Sequence, residues 1–251
     1  SGNTNLQVDL PKLQKGNLDS GFWVVYTPQD YLTKEAYAEA LEIAEIRNSA
    51  IHALTKKHSD YFELALKSED VGRIVNNGKH AVLIGMENAF PLGENLKDVN
   101  LWAERGVRYM GITHFGHNQF GDSSNPSTDR NETTSKWNGL SPLGRELISS
   151  LNDAGIIVDV SHAAKSTMMQ AADLSRVPVI ASHSGIKAIN DNPRNLDDEQ
   201  LLKLKETGGV VQVVAYGSYV KGFTEEQKKI EASLMSEFNV LSRSDVNGLD
   251  E

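Results

Sequence analysis

The chain has 251 residues, of which 39% are hydrophobic and 24% charged, the composition of an ordinary globular protein long enough to bury a full core. Its net charge of −9 argues against a surface that binds the phosphates of nucleic acid. The absence of cysteine excludes disulfides, thiolate zinc sites and cysteine nucleophiles, and no apolar run approaches the roughly 18 residues of a membrane-spanning helix.

Short apolar runs alternate with helical patterns from the start of the chain. The run "SGFWVVYTP" predicts a strand over residues 20–28, and a long amphipathic pattern predicts a helix over residues 34–58. A second strand is predicted at 80–88, a helix closed by glycine at 95–106 and a third strand at 107–115.

A long polar segment, residues 116–139, follows the third strand and is too long for a plain connector, which indicates a functional loop. The next helix, residues 141–155, begins with serine and proline and ends at glycine, as helices typically do. The remaining predicted strands are 156–162, 177–184 and 210–216, and the remaining predicted helices are 164–175, 196–209 and a charged tail from 224 that fades into a polar end.

The strict alternation of apolar strands and helices predicts an α/β fold with parallel strand pairing. A (β/α) barrel and a doubly wound sheet both satisfy this pattern. A complete (β/α)8 TIM-type barrel has eight strands, whereas six are predicted here. If the fold is a barrel, about two strand–helix units are therefore absent or unrecognised.

Four consecutive predicted strands end in side chains that bind metals, namely Glu87, His114, His162 and His183. The carboxyl ends of the strands build the active site of a parallel barrel, and neutral imidazole and carboxylate are good zinc ligands. A lone histidine at a strand end is more often a packing residue, but two in the same setting favour a metal site. His117, inside the following loop, is an alternative to His114.

Several other polar residues leave two interpretations open. Asp159, inside a predicted strand, either orients a metal ligand or makes a purely structural hydrogen bond. Arg194, in "AINDNPRNLDD", either grips a substrate carboxylate with two hydrogen bonds or caps a surface turn. His52, His58 and His80 fall on helical or approach segments, and we expect them at the surface.

The segments "VLIGMENAFPLG", "VRYMGITHFGHNQFGDSS", "GLSPLGRELISSLNDAGIIVDVSH", "VIASHSGIKAINDNPRNLDDEQL" and "GGVVQVVAY" resemble the membrane (renal) dipeptidases, peptidase family M19. The resemblance runs from about Val8 to Tyr216, with the motifs in the same order. It implies a single (β/α)-barrel metallohydrolase domain over residues 1–251, with two zinc ions, that cleaves dipeptides including those with a C-terminal D-residue. It also suggests an exported, periplasmic or membrane-associated protein, and leaves a homodimer open.

The resemblance assigns roles to five residues. Glu87 matches the carboxylate that bridges the two zinc ions, and His162 and His183 match the histidines that complete one zinc site. His114, rather than His117, matches the histidine that contacts the substrate and polarises the scissile carbonyl. Arg194 matches the arginine that binds the terminal carboxylate of the substrate.

Two motifs of the family are not found in this chain. The family's His-x-Asp motif would precede Ser1, and its late Gly-Ser-Asp-Phe-Asp-Gly-like motif would follow Glu251. We therefore expect a barrel lacking its first and last strand units, which holds one zinc ion or none as it stands. Two rival functions stay open, namely deacylation or lactam opening on the same metals, and a catalytically inactive fragment or binding relative.

Overall fold

A computed structural model describes residues 4–239 of the chain, and seven parallel strands form one sheet within that part. The strands are β1 (Ser20–Tyr26), β2 (Phe62–Leu64), β3 (His80–Glu87), β4 (Val107–Gly111), β5 (Ile157–Asp159), β6 (Ile180–Ser184) and β7 (Val210–Val213). The helices are α1 (Leu10–Lys15), α2 (Lys34–Lys57), α3 (Ser68–Asn76), α4 (Asp98–Glu104), α5 (Pro142–Ala154), α6 (Lys165–Leu174), α7 (Asp198–Glu206), α8 (Gly217–Val220) and α9 (Glu225–Glu237), with a 3-10 helix at Phe90–Leu92.

The sheet curls into a half-barrel with the strand order β1-β3-β4-β5-β6-β7, and β2 pairs with the beginning of β3. Because all pairs are parallel, the carboxyl ends of the strands lie along one edge of the sheet, where Tyr26 pairs with Glu87 and Gly111 with Asp159. Among the described strands β1 and β7 stay at the two edges and do not pair with each other. The predicted α/β fold is confirmed as an incomplete TIM-type barrel.

Helices cover the outer face of the sheet and complete the hydrophobic core. The central strand β3 is buried on both faces, as its apolar run predicts, and Trp102 of α4 packs against the sheet without any exposed surface. Helix α5 begins at the N-cap Ser141, whose side chain accepts a hydrogen bond from Gly144 N, and ends at a left-handed Gly155. None of the helices within residues 4–239 combines the length and hydropathy that crossing a membrane requires.

The strands differ from the prediction in number and length. β2 and α3 were not predicted. The strand segment "FEL" is too short to give an apolar run. β4 and β5 end earlier than predicted, although Ile112 N still donates to Asp159 O and Val160 N to Ile180 O beyond their ends. The predicted polar end of the tail, residues 240–251, lies outside the described residues.

The prediction that His80 is a surface residue is wrong. His80 begins β3 and is 7% exposed, with its Nδ1 2.9 Å from Leu18 O and its ring edge-on to Phe62. The segment before β1 covers this end of the sheet, which the strand pattern alone does not show. His52 and His58 are partly exposed on and just after α2.

Candidate metal centre

The four predicted metal-binding side chains meet at the carboxyl edge of the half-barrel. Glu87 is the last residue of β3, and His183 lies near the end of β6. His114 and His162 each follow the end of a strand, β4 and β5 respectively, by three residues. Four neighbouring strands, β3 to β6, therefore bring together residues that span nearly 100 positions of sequence.

Glu87 lies at the centre of this cluster. Its Oε1 is 3.0 Å from His162 Nε2, 3.2 Å from His183 Nε2 and 3.6 Å from His114 Nε2. The Nε2 atoms of His162 and His183 are 2.8 Å apart. Glu87, His114 and His162 offer ligand atoms that all lie within 4.8 Å of one another, and the pair distances add His183 to the same cluster.

The cluster has the donor chemistry and spacing of a divalent metal site. Tetrahedral zinc with bonds near 2.1 Å holds neighbouring ligand atoms about 3.4 Å apart. The distances of 2.8–3.2 Å among Glu87, His162 and His183 are slightly shorter than this, so a small outward movement of the rings would accommodate an ion. Two imidazole nitrogens and one carboxylate oxygen are also the donor types that zinc binds.

Burial keeps the imidazoles of His114 and His162 in the neutral form that a metal requires. It lowers the pKa of His114 to about 4 and that of His162 to about 3, against the opposing influence of Glu87. Burial alone would raise the pKa of Glu87, but a hydrogen bond from His162 and the nearby ring of His183 outweigh it and hold that pKa well below its usual range. The cluster therefore presents the Glu87 carboxylate beside the neutral imidazoles of His114 and His162 near neutral pH.

Two residues of the site have left-handed backbone conformations. His162 has φ of 68°, and Asn88, which directly follows Glu87, has φ of 81°. Such angles are costly for residues other than glycine and are concentrated at functional sites. His162 is held by its carbonyl, which accepts a hydrogen bond from Ser124 N at 2.8 Å. The Asn88 side chain accepts hydrogen bonds from Phe90 N and Asn118 Nδ2, which fixes the turn after Glu87.

Arg194 is buried beside the cluster, at 2% exposure, and does not cap a surface turn. Its Nη2 donates to His183 O at 3.0 Å, and its guanidinium lies 5.3 Å from the ring centre of Tyr219. Within residues 4–239 its Nε has no hydrogen-bond partner. Burial lowers the pKa of this guanidinium. The side chain therefore keeps hydrogen-bonding capacity next to the candidate metal site.

The structure places His114, and not His117, at the cluster. Both ring nitrogens of His117 are engaged elsewhere, since Nδ1 accepts a hydrogen bond from Ser123 N at 3.0 Å and Nε2 lies 2.9 Å from Thr133 O. No lone pair of this ring is left for a metal. His117 instead ties the beginning of the 116–139 loop to its middle.

The 116–139 loop is organised around the buried Asp122. Its carboxylate accepts hydrogen bonds from Ser135 Oγ and from the backbone N–H groups of Lys136, Trp137 and Gly139. Next to this loop, a cavity of about 410 Å³ opens beside His114. Its lining includes Tyr26, Phe115, Asn125 and Arg130 among others. The predicted functional loop thus forms one wall of a cavity at the candidate site.

Three residues near the cluster were not singled out from the sequence. Ser182 lies directly before His183 and hydrogen-bonds its ring, Asn88 supports the turn after Glu87, and Tyr219 packs on Arg194. The only signal for Ser182 and Asn88 is their position next to a candidate ligand. Tyr219 follows the last described strand and has no signal of its own.

Comparisons with known sequences place these features in a family. The sequence profile described as "Membrane dipeptidase (Peptidase family M19)" matches residues 1–242. Dipeptidase tcpJ of Claviceps purpurea is 32% identical over 213 residues, which are 82% of this chain and 48% of the relative. Dipeptidase 3 of Mus musculus is 31% identical over 210 residues, 84% of this chain and 41% of the relative. The chain thus spans about half the length of the relatives it matches.

Solved structures share the fold. The crystal structure of the probable dipeptidase PvdM from Pseudomonas aeruginosa superposes with a TM-score of 0.88 at 33% identity, over 96% of this chain and 61% of that one. A metallo peptidase from Rhodobacter sphaeroides, liganded with a phosphinate mimic of the dipeptide L-Ala-D-Ala, superposes with a TM-score of 0.74 at 21% identity. That match covers 91% of this chain and 73% of the other, and shows likeness of fold.

Proposed function

This chain belongs to the membrane dipeptidase family, peptidase family M19, and we propose that its half-barrel carries one face of a zinc site that hydrolyses dipeptides. The observation that carries the proposal is the contact of Glu87 Oε1 with the Nε2 atoms of His162 and His183 at 3.0 and 3.2 Å. Membership in a metallopeptidase family and a cluster of histidine and glutamate both favour a metal.

Glu87, His162 and His183 would hold the first ion. When bound, zinc supplies Lewis-acid polarisation of a carbonyl and a water of lowered pKa. Glu87 has a second carboxylate oxygen, which makes it the residue suited to bridge to a second ion. The further ligands of a two-metal centre would come from outside the residues described.

His114 and Arg194 would position the substrate around this centre. His114 Nε2 lies beside the ligands, 3.6 Å from Glu87 Oε1, and would donate a hydrogen bond to a developing oxyanion, a contact worth several kcal/mol in other hydrolases. Arg194, buried and with an Nε that has no partner among the described residues, would bind the carboxylate end of the dipeptide. A carboxylate held there would allow one residue after the scissile bond, as in a dipeptide, including those with a C-terminal D-residue.

The test measures zinc binding and hydrolysis of L-Ala-D-Ala by the natural full-length protein. We expect His183→Ala to lose zinc affinity and turnover together, whereas Arg194→Lys should keep zinc and lose kcat/KM. His52→Ala, which changes a partly exposed histidine on α2, is the matched control. Undiminished zinc affinity in His183→Ala would remove the metal assignment. Equal hydrolysis of L-Ala-D-Ala and its C-terminal amide would instead favour a deacylase.

A further inference from the structure

A buried hydrogen-bond relay leads from Asp159 to the candidate ligand His183. The Ser182 side chain donates to Asp159 Oδ2 at 2.6 Å, and its Oγ lies 2.8 Å from His183 Nδ1. Asp159 is 1% exposed, and its other oxygen, Oδ1, accepts hydrogen bonds from Ser161 N and Ser182 N at 3.0 and 2.9 Å. The relay therefore connects β5 and β6 through the interior of the half-barrel.

The direction of each hydrogen bond in the relay follows from its chemistry. An ionised carboxylate only accepts, so the single hydroxyl proton of Ser182 points to Asp159. Oγ must then accept from His183, which requires the ring proton to sit on Nδ1. In that tautomer Nε2 carries the free lone pair, and Nε2 is the atom that faces Glu87 and His162.

We propose that Ser182 and Asp159 are positioning residues, which together hold His183 in the tautomer and orientation that present its Nε2 to a metal ion. The inference rests on the metal site of the proposed function and adds the residues that prepare one of its ligands. Partners of this kind fix ring orientation and raise ligand basicity in metalloproteins, where their loss typically costs about 10- to 100-fold in metal affinity. Here a serine hydroxyl stands between the carboxylate and the imidazole.

The surroundings of Ser182 make the relay rigid. His183 N donates to Ser161 Oγ at 2.9 Å, so the backbone of the ligand is fixed from the same side as its ring. His183 is therefore held at its backbone N–H and at its ring Nδ1 before any metal arrives.

Asp159→Asn is the sharpest variant, because it can reverse the relay without a change in shape. The two backbone N–H groups at Oδ1 require an oxygen there, so the new amide nitrogen must replace Oδ2 and donate to Ser182 Oγ. The Ser182 hydroxyl would then donate to His183 Nδ1, and the ring proton would move to Nε2. A proton on Nε2 blocks the lone pair that the metal needs.

The experiment combines zinc affinity, measured by competition with a chelator, with long-range proton–nitrogen NMR of the histidine rings in the metal-free full-length protein. We expect His183 to be protonated at Nδ1 in the wild type and at Nε2 in Asp159→Asn, with zinc affinity at least about tenfold lower in that variant. Ser182→Ala should lose a similar amount of zinc affinity. Ser182→Thr, which keeps the hydroxyl, should have zinc affinity close to that of the wild type. Ser184→Ala, at a buried serine on the same strand whose hydroxyl has no hydrogen bond to a histidine ring within residues 4–239, should match the wild type.

An unchanged tautomer in Asp159→Asn, or zinc affinity within twofold of the wild type in Ser182→Ala, would overturn the relay. Failure of the wild type to bind zinc would refute the proposed function instead. The tautomer measurement still tests the relay in that case, because it uses metal-free protein. Thermal unfolding of each variant separates a loss of fold from a loss of ligand orientation.

Discussion

The Nε2 atoms of His162 and His183 lie 2.8 Å apart, although His162 lies in the loop after β5 and His183 in strand β6. Both face Oε1 of Glu87, so three electronegative atoms converge on one point. Such convergence is costly without a proton or a cation to share, and a divalent ion between the three atoms would remove the cost.

Glu87→Gln should therefore remove most of the stability that bound zinc adds to the folded protein. Zinc that binds only the folded wild type raises its free energy of unfolding by about 2.7 kcal/mol at a hundredfold excess over Kd. The amide is a weak zinc ligand, so we expect most of this gain to vanish in Glu87→Gln. Thermal unfolding across a zinc titration measures it. Glu45→Gln, a surface change in a pair with Arg105, should retain the full gain, and an equal gain in both variants would argue against the site.

The backbone at His162 predicts an unusual order of stability between two substitutions. With φ of 68° this residue is left-handed, a conformation that glycine adopts without the cost of about 1–2 kcal/mol borne by other residues. His162→Gly should therefore be more stable than His162→Ala by about 1 kcal/mol in the metal-free protein.

The matched pair at His183 should show the opposite order. His183 lies in the strand β6, where glycine is less stable than alanine by roughly 0.5–1 kcal/mol. Urea unfolding of the four variants, at fixed pH and without metal, gives both differences. Glycine less stable than alanine at both positions would mean that the left-handed conformation of His162 carries no strain.

The sequence locates the candidate ligands better than their supports. Glu87 and His183 each follow an apolar run, and because parallel strands end at one edge, their convergence could be predicted from the pattern. The contact of Ser182 with Asp159 depends on the register of β5 and β6, which pairs Asp159 with Ile180. No periodicity in the sequence specifies that register. The sequence alone therefore could not decide whether Asp159 orients a metal ligand or makes a purely structural hydrogen bond.

Two other residues show the same limit. The burial of His80 depends on the segment around Leu18, whose carbonyl lies 62 positions away in sequence and 2.9 Å from the ring. Likewise, the choice of His114 over His117 needed either a family resemblance or the loop contacts that occupy both nitrogens of His117. Long-range contacts of this kind are decided by tertiary packing and leave no local signature.

Any side chain at Gly85 in β3 should destabilise the protein while Tyr109 is present. A Cβ built at Gly85 would lie 2.2 Å from Tyr109 Cζ, inside the core of the sheet. We expect Gly85→Ala to destabilise the protein by roughly 1–3 kcal/mol, the usual cost of overpacking. Urea unfolding measures the effect, and the cost should shrink when the same change is made in a Tyr109→Ala background.

The matched control for this prediction is Gly72→Ala. Gly72 lies in the exposed helix α3, and nothing lies within 4 Å of a Cβ built there. Alanine should stabilise that helix by roughly 0.5–1 kcal/mol. Equal effects at Gly85 and Gly72 would show that Tyr109 moves aside freely.

The stability that Asp122 gives to the 116–139 loop should depend on pH. Burial by itself would raise the pKa of Asp122, but hydrogen bonds from Ser135 and from the backbone N–H groups of residues 136–139 outweigh it and lower that pKa. A carboxyl whose pKa is lower in the folded chain stabilises the fold fully above its unfolded pKa of about 3.9, and this contribution is lost as the pH falls through the folded pKa.

Asp122→Asn should therefore lower the free energy of unfolding at pH 7 by roughly 1–3 kcal/mol, since it weakens several buried hydrogen bonds at once. The gap between wild type and variant should narrow as the pH falls below about 4, because the carboxyl of the unfolded wild type takes up a proton there and the folded carboxyl follows at its lower pKa. Urea unfolding between pH 7 and pH 3 follows this gap. Asp129→Asn removes an exposed carboxylate of the same loop that has no hydrogen-bond partner within residues 4–239, so its gap should stay near zero throughout. A gap for Asp122→Asn that is the same at pH 7 and pH 3 would mean that the amide costs stability because its NH2 group faces other hydrogen-bond donors, and not through the lost charge.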